Sequence, residues 1–194
     1  MSTQHRPSVT AFAGQRMLAR GPLPEVALAV KREVEARPQT AVLIFDDTDG
    51  KVVDLDLRGS DEDMLKRLGH EAGSTAAAEG AKPGRGRPKL GVVAREVTLL
   101  PRHWDWLAAQ PGGASQALRR LVDQARTADE GRSARRAATD AAYRFMAAMA
   151  GDLPGFEEAS RALFAGDEAR FREEAAGWPA DVSDHALRLW RRGA

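Results

Sequence analysis

The chain has 194 residues, 43% of them hydrophobic and 29% charged, which is typical of a folded protein with room for one to three domains. It contains no cysteine, which excludes disulfides and thiolate metal sites and favours a reducing cytoplasm. No secretory signal and no apolar run of the ~20 residues needed to cross a membrane is found, so we expect a cytoplasmic protein without membrane contact.

The formal net charge of +1 conceals a basic centre. Residues 82–136 carry 12 Lys and Arg against 5 Asp and Glu, whereas residues 1–81 carry 10 against 13 and residues 137–194 carry 7 against 10. A basic segment between two acidic ones is typical of a local polyanion-binding element, although an exposed Arg-rich surface would give the same count.

Residues 1–69 predict a small α+β domain with three strands and one covering helix. Helical spacing of apolar residues starts at Leu23 and stops at Pro38, and Asp49-Gly50 predicts a tight turn between two strands. The domain is therefore a βαββ unit, with strands over residues 8–13, 41–45 and 51–57.

The aspartates around the predicted turn suggest a metal site as an alternative, because carboxylates bind hard cations. The spacing does not fit a calcium loop, since Phe45 occupies the first ligand position. We interpret the acids as a turn and the polar face of a strand, and predict no metal site. Beyond them, Ser60 and the acids after it predict the start of a short helix.

Residues 70–91 predict a flexible basic linker, rich in Gly, Ala, Ser and Pro. Within it, Arg-Gly-Arg-Pro at 85–88 resembles the AT-hook, a short DNA minor-groove motif. Arginines suit the negative potential of narrow A·T-rich grooves, and glycine lets the backbone lie low in the groove. The DNA-binding residues predicted in this arm are Lys82, Arg85, Gly86, Arg87, Pro88 and Lys89.

Residues 92–130 predict one strand followed by two helices. Pro101 opens the first helix, Gly112-Gly113 ends it, and the second carries Leu118, Leu121, Val122 and Ala125 on one side. One strand and two helices cannot bury their own apolar surface. We therefore expect a homodimer through residues 92–127, with two strands paired over four helices.

These residues resemble the ribbon-helix-helix family of bacterial DNA-binding proteins. The resemblance covers residues 92–127, and it implies a two-stranded ribbon in the major groove. It places base contacts near Arg95 or Thr98 and a phosphate contact at the start of the second helix, at Gly113, Ala114 and Ser115. Which side chains of the strand would face DNA stays open. In one arrangement Glu96 faces DNA, and in the other the strand exposes apolar residues that the core needs.

Residues 131–194 predict a helical C-terminal region of four helices, which forms a compact bundle, a lid that packs on the dimer, or a module that binds a protein partner. The larger stretches RGRPKLGVVAREVTLLPRHWDWLAAQPGGAS and AAYRFMAAMAGDLPGFEEASRALFAGD resemble a bacterial family known only as domain of unknown function 2239. That resemblance would cover nearly the whole chain, and it implies no activity.

Enzymatic motifs are weak, and we predict no catalytic residue and no cofactor. Four scattered histidines lack metal-ligand spacing, and pairing of His185 with Asp181 or Asp184 is less favoured than an exposed polar helix face. The chain is therefore interpreted as an α+β, dimeric DNA-binding protein, a transcriptional regulator or a nucleoid-associated protein acting on A·T-rich or non-specific DNA. The alternative is a dimeric protein–protein adaptor without direct readout of DNA.

Overall fold

The structure is a computed structural model that describes residues 8–76, 95–129 and 131–193. The described residues form two compact units. The sheet unit combines residues 8–76 with residues 131–193, and the helix-pair unit comprises residues 95–129. The protein is α+β, as the sequence predicts, and it is mostly helical.

The described elements are three strands and eight helices. In chain order they are β1 (Ser8–Ala13), β2 (Arg16–Pro22), α1 (Leu23–Ala36), β3 (Val42–Asp46), α2 (Asp61–Ala76), α3 (Pro101–Ala108), α4 (Gly113–Asp129), α5 (Arg132–Met149), α6 (Phe156–Ala165), α7 (Glu168–Glu174) and α8 (Ala180–Arg191).

The three strands form an antiparallel sheet in the order β2-β1-β3, with β1 in the centre. Successive side chains of β1 point to opposite faces. Val9 and Ala11 pack with Val26 and Val30 of α1 on one face. On the other face, Phe12 packs with the C-terminal helices. The sheet is therefore covered on both sides.

The second core contains apolar residues from both ends of the chain. Phe145 of α5 lies between Phe12 and Phe45, with ring centroids at 5.3 Å and 4.9 Å. Each buried aromatic side chain removes 150–250 Å² from water, so this cluster is a large stabilising contribution. The sequence predicts residues 1–69 and residues 131–194 as separate regions. It does not predict the core that they share.

The identity of two strands differs from the prediction. β2 was not predicted, because none of its residues is buried and their exposure shows no clear alternation. The prediction of a strand over residues 51–57 is wrong, since the one β-bridge of this segment joins Val52 to Phe45. Val53, Leu55 and Leu57 nevertheless turn inward, as their alternation predicted. The segment therefore packs on the core mainly through side chains, and two backbone hydrogen bonds join it to β3, from the Asp46 N–H to the Lys51 oxygen at 2.9 Å and from the Val53 N–H to the Ile44 oxygen at 2.7 Å.

The turn after β3 is held against α5 at very short range. Gly50 has φ of +70°, and a Cβ there would lie 2.0 Å from the backbone oxygen of Ala141. Glycine is therefore required both for its backbone conformation and for the close approach. Arg144 of α5 adds a hydrogen bond of 2.9 Å to the carbonyl oxygen of Asp49.

The ends of several helices follow the signals in the sequence. Ser60 caps α2, with its hydroxyl accepting from the Asp63 N–H at 3.2 Å. The side chain of Asp167 caps α7 by accepting from the Arg170 N–H at 3.0 Å. The helix that starts after Ser60 is longer than the short one predicted, because it continues to Ala76.

Candidate functional site

The helix-pair unit is the part of the chain that the sequence associates with DNA. Its two helices, α3 and α4, are joined by a turn in which Gly112 and Gly113 have φ of +80° and +72°. L-residues with side chains rarely adopt such values, so the two glycines permit the abrupt reversal. Pro101 stands at the start of α3, where its missing N–H costs nothing.

This unit has a very small core of its own. Among its described residues, Leu107 and Ala117 are buried. Trp106 is 50% exposed and Val122 54% exposed. The other large apolar side chains that stay exposed are Val97, Leu100, Trp104 and Leu121. An apolar surface of this kind marks an interaction site.

The predicted base-contacting residues lie in the segment that precedes α3. Arg95 and Thr98 are exposed there, and so is Glu96. Residues 95–100 pair with no strand in the part of the chain that the structure describes. Leu100, the last of them, has an extended backbone. The structure therefore shows a short irregular segment where the sequence predicts a ribbon.

The predicted phosphate-binding residues are brought together on the first turn of α4. Gly113 and Ala114 are half-buried and Ser115 is exposed. The first turn carries no acidic residue, and Arg119 and Arg120 follow one turn later. A helix N-terminus followed by arginines generally suits an anion, although the Gly113 N–H already donates to the carbonyl oxygen of Gln110 at 3.0 Å. The predicted arm residues Lys82, Arg85, Gly86, Arg87, Pro88 and Lys89 lie outside the described residues.

A second polar constellation, which the sequence did not predict, is buried in the sheet unit. It centres on Asp47, which follows β3 and is 2% exposed. Its carboxylate accepts hydrogen bonds from Ser8 Oγ at 2.8 Å, Thr10 Oγ1 at 2.7 Å and Arg20 Nε at 3.2 Å. Arg192, just beyond α8, donates to its carbonyl oxygen. Asp47 therefore links all three strands to the C-terminal helix.

His185 of α8 lies beside this carboxylate. It is 2% exposed, and its Nε2 is 3.7 Å from Asp47 Oδ1, beyond hydrogen-bond distance. Neither ring nitrogen has a hydrogen-bond partner among the described residues. The ring packs on Phe145 and Phe12, with centroids at 4.6 Å and 5.4 Å. The prediction of an exposed polar face for His185 is wrong, because its helix turns that side towards the core.

The signals for this cluster were present but ambiguous. Thr10 alternates with Val9 and Ala11 on β1, which places it on the face opposite α1. His185 recurs at helical spacing with Val182 and Leu189, both buried. A histidine on an apolar helix face predicts burial. This signal outweighs the exposure that the neighbouring Asp181 and Asp184 suggest. The partner, Asp47, is 138 residues away and could not be inferred.

Burial lowers the pKa of His185 from 6.5 to about 4, opposed by the Asp47 carboxylate and aided by Arg20 and Arg192. The ring is therefore neutral in the fold and protonates below pH 6.5 after unfolding. Because the unfolded state binds more protons between those values, stability is expected to fall as pH drops from 6.5 to 4, by about 3 kcal/mol at most.

The His185→Leu variant tests this pH dependence. Leucine keeps an apolar side chain against Phe12 and Phe145, so we expect a change of about 1 kcal/mol or less at neutral pH. The difference in urea stability between wild type and variant should shift in favour of the variant as pH falls. A constant difference from pH 7 to pH 4.5 would contradict a neutral buried histidine.

The described residues contain no group of three or more His, Cys, Asp or Glu side chains placed to hold a metal ion. None of the described helices combines the length and apolar character needed to span a membrane. The acidic cluster around the turn consists instead of Asp46 and Asp49, which accept from backbone N–H groups at 2.6 Å and 3.0 Å, and of buried Asp47.

Fold and cluster together define a mostly helical α+β protein in which a buried charged cluster joins an N-terminal sheet to C-terminal helices. Residues 8–190 match the family described as "Uncharacterized protein conserved in bacteria (DUF2239)", and the chain belongs to that family. This match confirms the whole-chain resemblance. Comparisons with curated proteins and with solved structures found no match.

Proposed function

We propose that this protein is a homodimeric DNA-binding protein of the bacterial cytoplasm, acting as a transcriptional regulator or in nucleoid organisation. The helix-pair unit would provide a ribbon-helix-helix-like scaffold, and the AT-hook-like arm at residues 82–89 would provide most of the affinity. The observation that carries the proposal is the incomplete core of the helix-pair unit, which exposes apolar residues on both of its helices.

A second copy of the chain is the partner that would complete this core. Two copies of residues 95–100 could pair as antiparallel strands, since these residues belong to no described strand in one chain. Four helices would then bury Trp104, Leu121 and their counterparts. The exposed Arg95 and Thr98 would lie on or beside the paired strands, where a base contact is made in ribbon-helix-helix proteins.

The charge distribution supports DNA as the ligand of the arm together with the residues that follow it. Residues 82–136 contain 12 Lys and Arg against 5 Asp and Glu; residues 82–94 carry 4 against 0, and residues 95–129 carry 5 against 4, with Arg119, Arg120 and Arg126 on α4. Phosphate contacts from such residues give most of non-specific affinity. We propose no enzymatic activity, since the His185–Asp47 pair is too deeply buried to meet a substrate.

A salt titration of DNA binding tests the proposal. We expect the full chain to bind A·T-rich duplex DNA at low ionic strength, with affinity falling steeply as salt rises. Replacing Arg85 and Arg87 by alanine should reduce the slope of log K against log salt by about 2, because each phosphate contact contributes about 0.9. Fluorescence anisotropy with labelled duplexes provides the measurement.

The matched control replaces two exposed arginines of the sheet unit, Arg161 and Arg170, by alanine. This variant loses the same charge but should keep the wild-type slope. Equal slopes for wild type and the Arg85/Arg87 variant would remove the arm from the proposal. No DNA binding by the wild type at low salt would reject the proposal as a whole.

A protein–protein adaptor is the second candidate, and one observation favours it. Tyr143 and Phe164 form an exposed aromatic pair on α5 and α6, with ring centroids 5.3 Å apart and Phe164 58% exposed. Tyrosine and other aromatic residues are enriched at the centres of protein interfaces. In an adaptor, the helix-pair unit would serve dimerisation alone, and removal of residues 82–89 would leave partner binding intact.

A further inference from the structure

The sheet unit contains a basic cleft that the proposed function does not use. The cleft has a volume of about 480 Å³ and lies along α7 and α8. Its lining consists of Arg172, Asp184, Leu187, Arg188, Arg191 and Arg192. Four guanidinium groups thus face one carboxylate within the lining itself.

This concentration of arginine is not expected from the local composition. Residues 137–194 carry 7 Lys and Arg against 10 Asp and Glu, yet four of those seven line this one cleft. Like charges gathered in one cleft repel each other unless an anion lies between them. Counting Asp184 in the lining and the nearby Glu168, the four arginines still leave a net charge of +2, which favours a negatively charged ligand.

Two of the arginines are held in place by a single carboxylate at the edge of the cleft. Glu168 accepts from Arg172 Nε at 3.0 Å and from Arg191 Nε at 3.1 Å. These hydrogen bonds lower the pKa of Glu168, so it stays ionised at neutral pH. Fixed side chains lose less entropy when a ligand binds, and each guanidinium retains further N–H donors.

The other two arginines occupy different positions in the cleft. Arg192 is anchored by its hydrogen bond to the carbonyl oxygen of buried Asp47, which ties this end of the cleft to the sheet. Arg188 is exposed, stands one helical turn before Arg191 and Arg192, and has no carboxylate within ion-pair distance among the described residues. Its guanidinium is the one that remains available for a ligand.

We propose that this cleft is a phosphate-binding site, in which Arg188 contacts the phosphate group beside the prearranged Arg172 and Arg191. The planar guanidinium presents paired N–H donors that match two phosphate oxygens, and this favours phosphate over a halide ion. The phosphate would belong either to a nucleic acid backbone or to a small phosphorylated compound.

Titration calorimetry of the full chain with inorganic pyrophosphate tests the site. We expect saturable binding by the wild type and at least about tenfold weaker binding by Arg188→Gln, because a charge-assisted hydrogen bond contributes that much or more. Arg188→Lys should keep part of the affinity, since it retains the charge but not the paired donors. Arg161→Gln, which removes an exposed arginine of another helix, should bind as the wild type does.

The same variants, tested with a short duplex DNA, identify the source of the phosphate. Weaker binding of both probes by Arg188→Gln supports a site open to either source, and weaker binding of one probe alone supports that source. Unchanged binding of both probes by Arg188→Gln, or no saturable binding of either by the wild type, overturns the inference. The pyrophosphate result does not depend on the arm, so it stands apart from any failure of DNA binding through Arg85 and Arg87.

Discussion

Replacing Asp47 by alanine is expected to lower the free energy of unfolding of the sheet unit by about 3 kcal/mol, because buried Thr10, partly buried Ser8 and also Arg20 lose their acceptor. Ser8 and Thr10 would each keep a hydroxyl without its bond, and Arg20 would lose its ion pair. Arg20 is about one third exposed, so water would partly replace the carboxylate and limit the loss.

Urea unfolding, followed by the fluorescence of the sheet unit alone, measures this effect. Trp104 and Trp106 are first replaced by phenylalanine, so that Trp178 and Trp190 report on the sheet unit. The matched control is Asp54→Ala, which removes an exposed aspartate of the same region and should change stability by no more than about 0.5 kcal/mol. Equal midpoints for the two variants would show that Asp47 is not a structural centre.

The C-terminal helices could be predicted because their signals are local. Gly166 ends α6 with φ of +77°, Asp167 caps α7, and Trp178-Pro179 separates α7 from α8. Each of these features depends on residues within one or two turns of each other. Helix α1, with Pro24 in its first turn and Pro38 beyond its end, belongs to the same class.

The sheet could be predicted only in part, because strand pairing is not local. The first and third strands carry apolar residues that mark them as buried. β2 contains Arg16 and Arg20, and is recognisable as a strand only through its pairing with β1. Residues 51–57 have the composition of a strand. β3 has five residues, however, and residues 51–57 make one bridge to it, between Val52 and Phe45. Composition predicted an inward-facing segment and could not predict its hydrogen bonds.

The buried cluster shows where inference from one sequence ends. Polar residues such as Asp47 and His185 occur mostly at surfaces, so their burial depends on contacts between opposite ends of the chain. The association of the outer segments around Phe145 creates those contacts. The same association places Arg192 near Asp47, and so connects the basic cleft with the core. Local sequence patterns contain no information on the packing around Phe145 or on the contact between Arg192 and Asp47.

Leu121→Glu is expected to convert the proposed dimer into a monomer and to weaken dimerisation by about 100-fold or more, because an unpaired charge would be buried in the interface. Leu121 is 39% exposed in one chain, so the same change should leave a monomer nearly as stable as before. Analytical ultracentrifugation should give about twice the chain mass of 21.0 kDa for the wild type and a single chain mass for the variant.

Thr127→Glu is the matched control for this prediction. It adds the same charge to the same helix, and helical spacing places residue 127 opposite the centre of the apolar stripe formed by Leu118, Leu121, Val122 and Ala125. This variant should remain dimeric. A wild type that stays monomeric at high concentration would contradict the dimer itself. A Leu121→Glu variant that keeps the wild-type mass would show instead that the exposed face of α4 is not the contact surface, and the dimer would then have to form through α3 and residues 95–100.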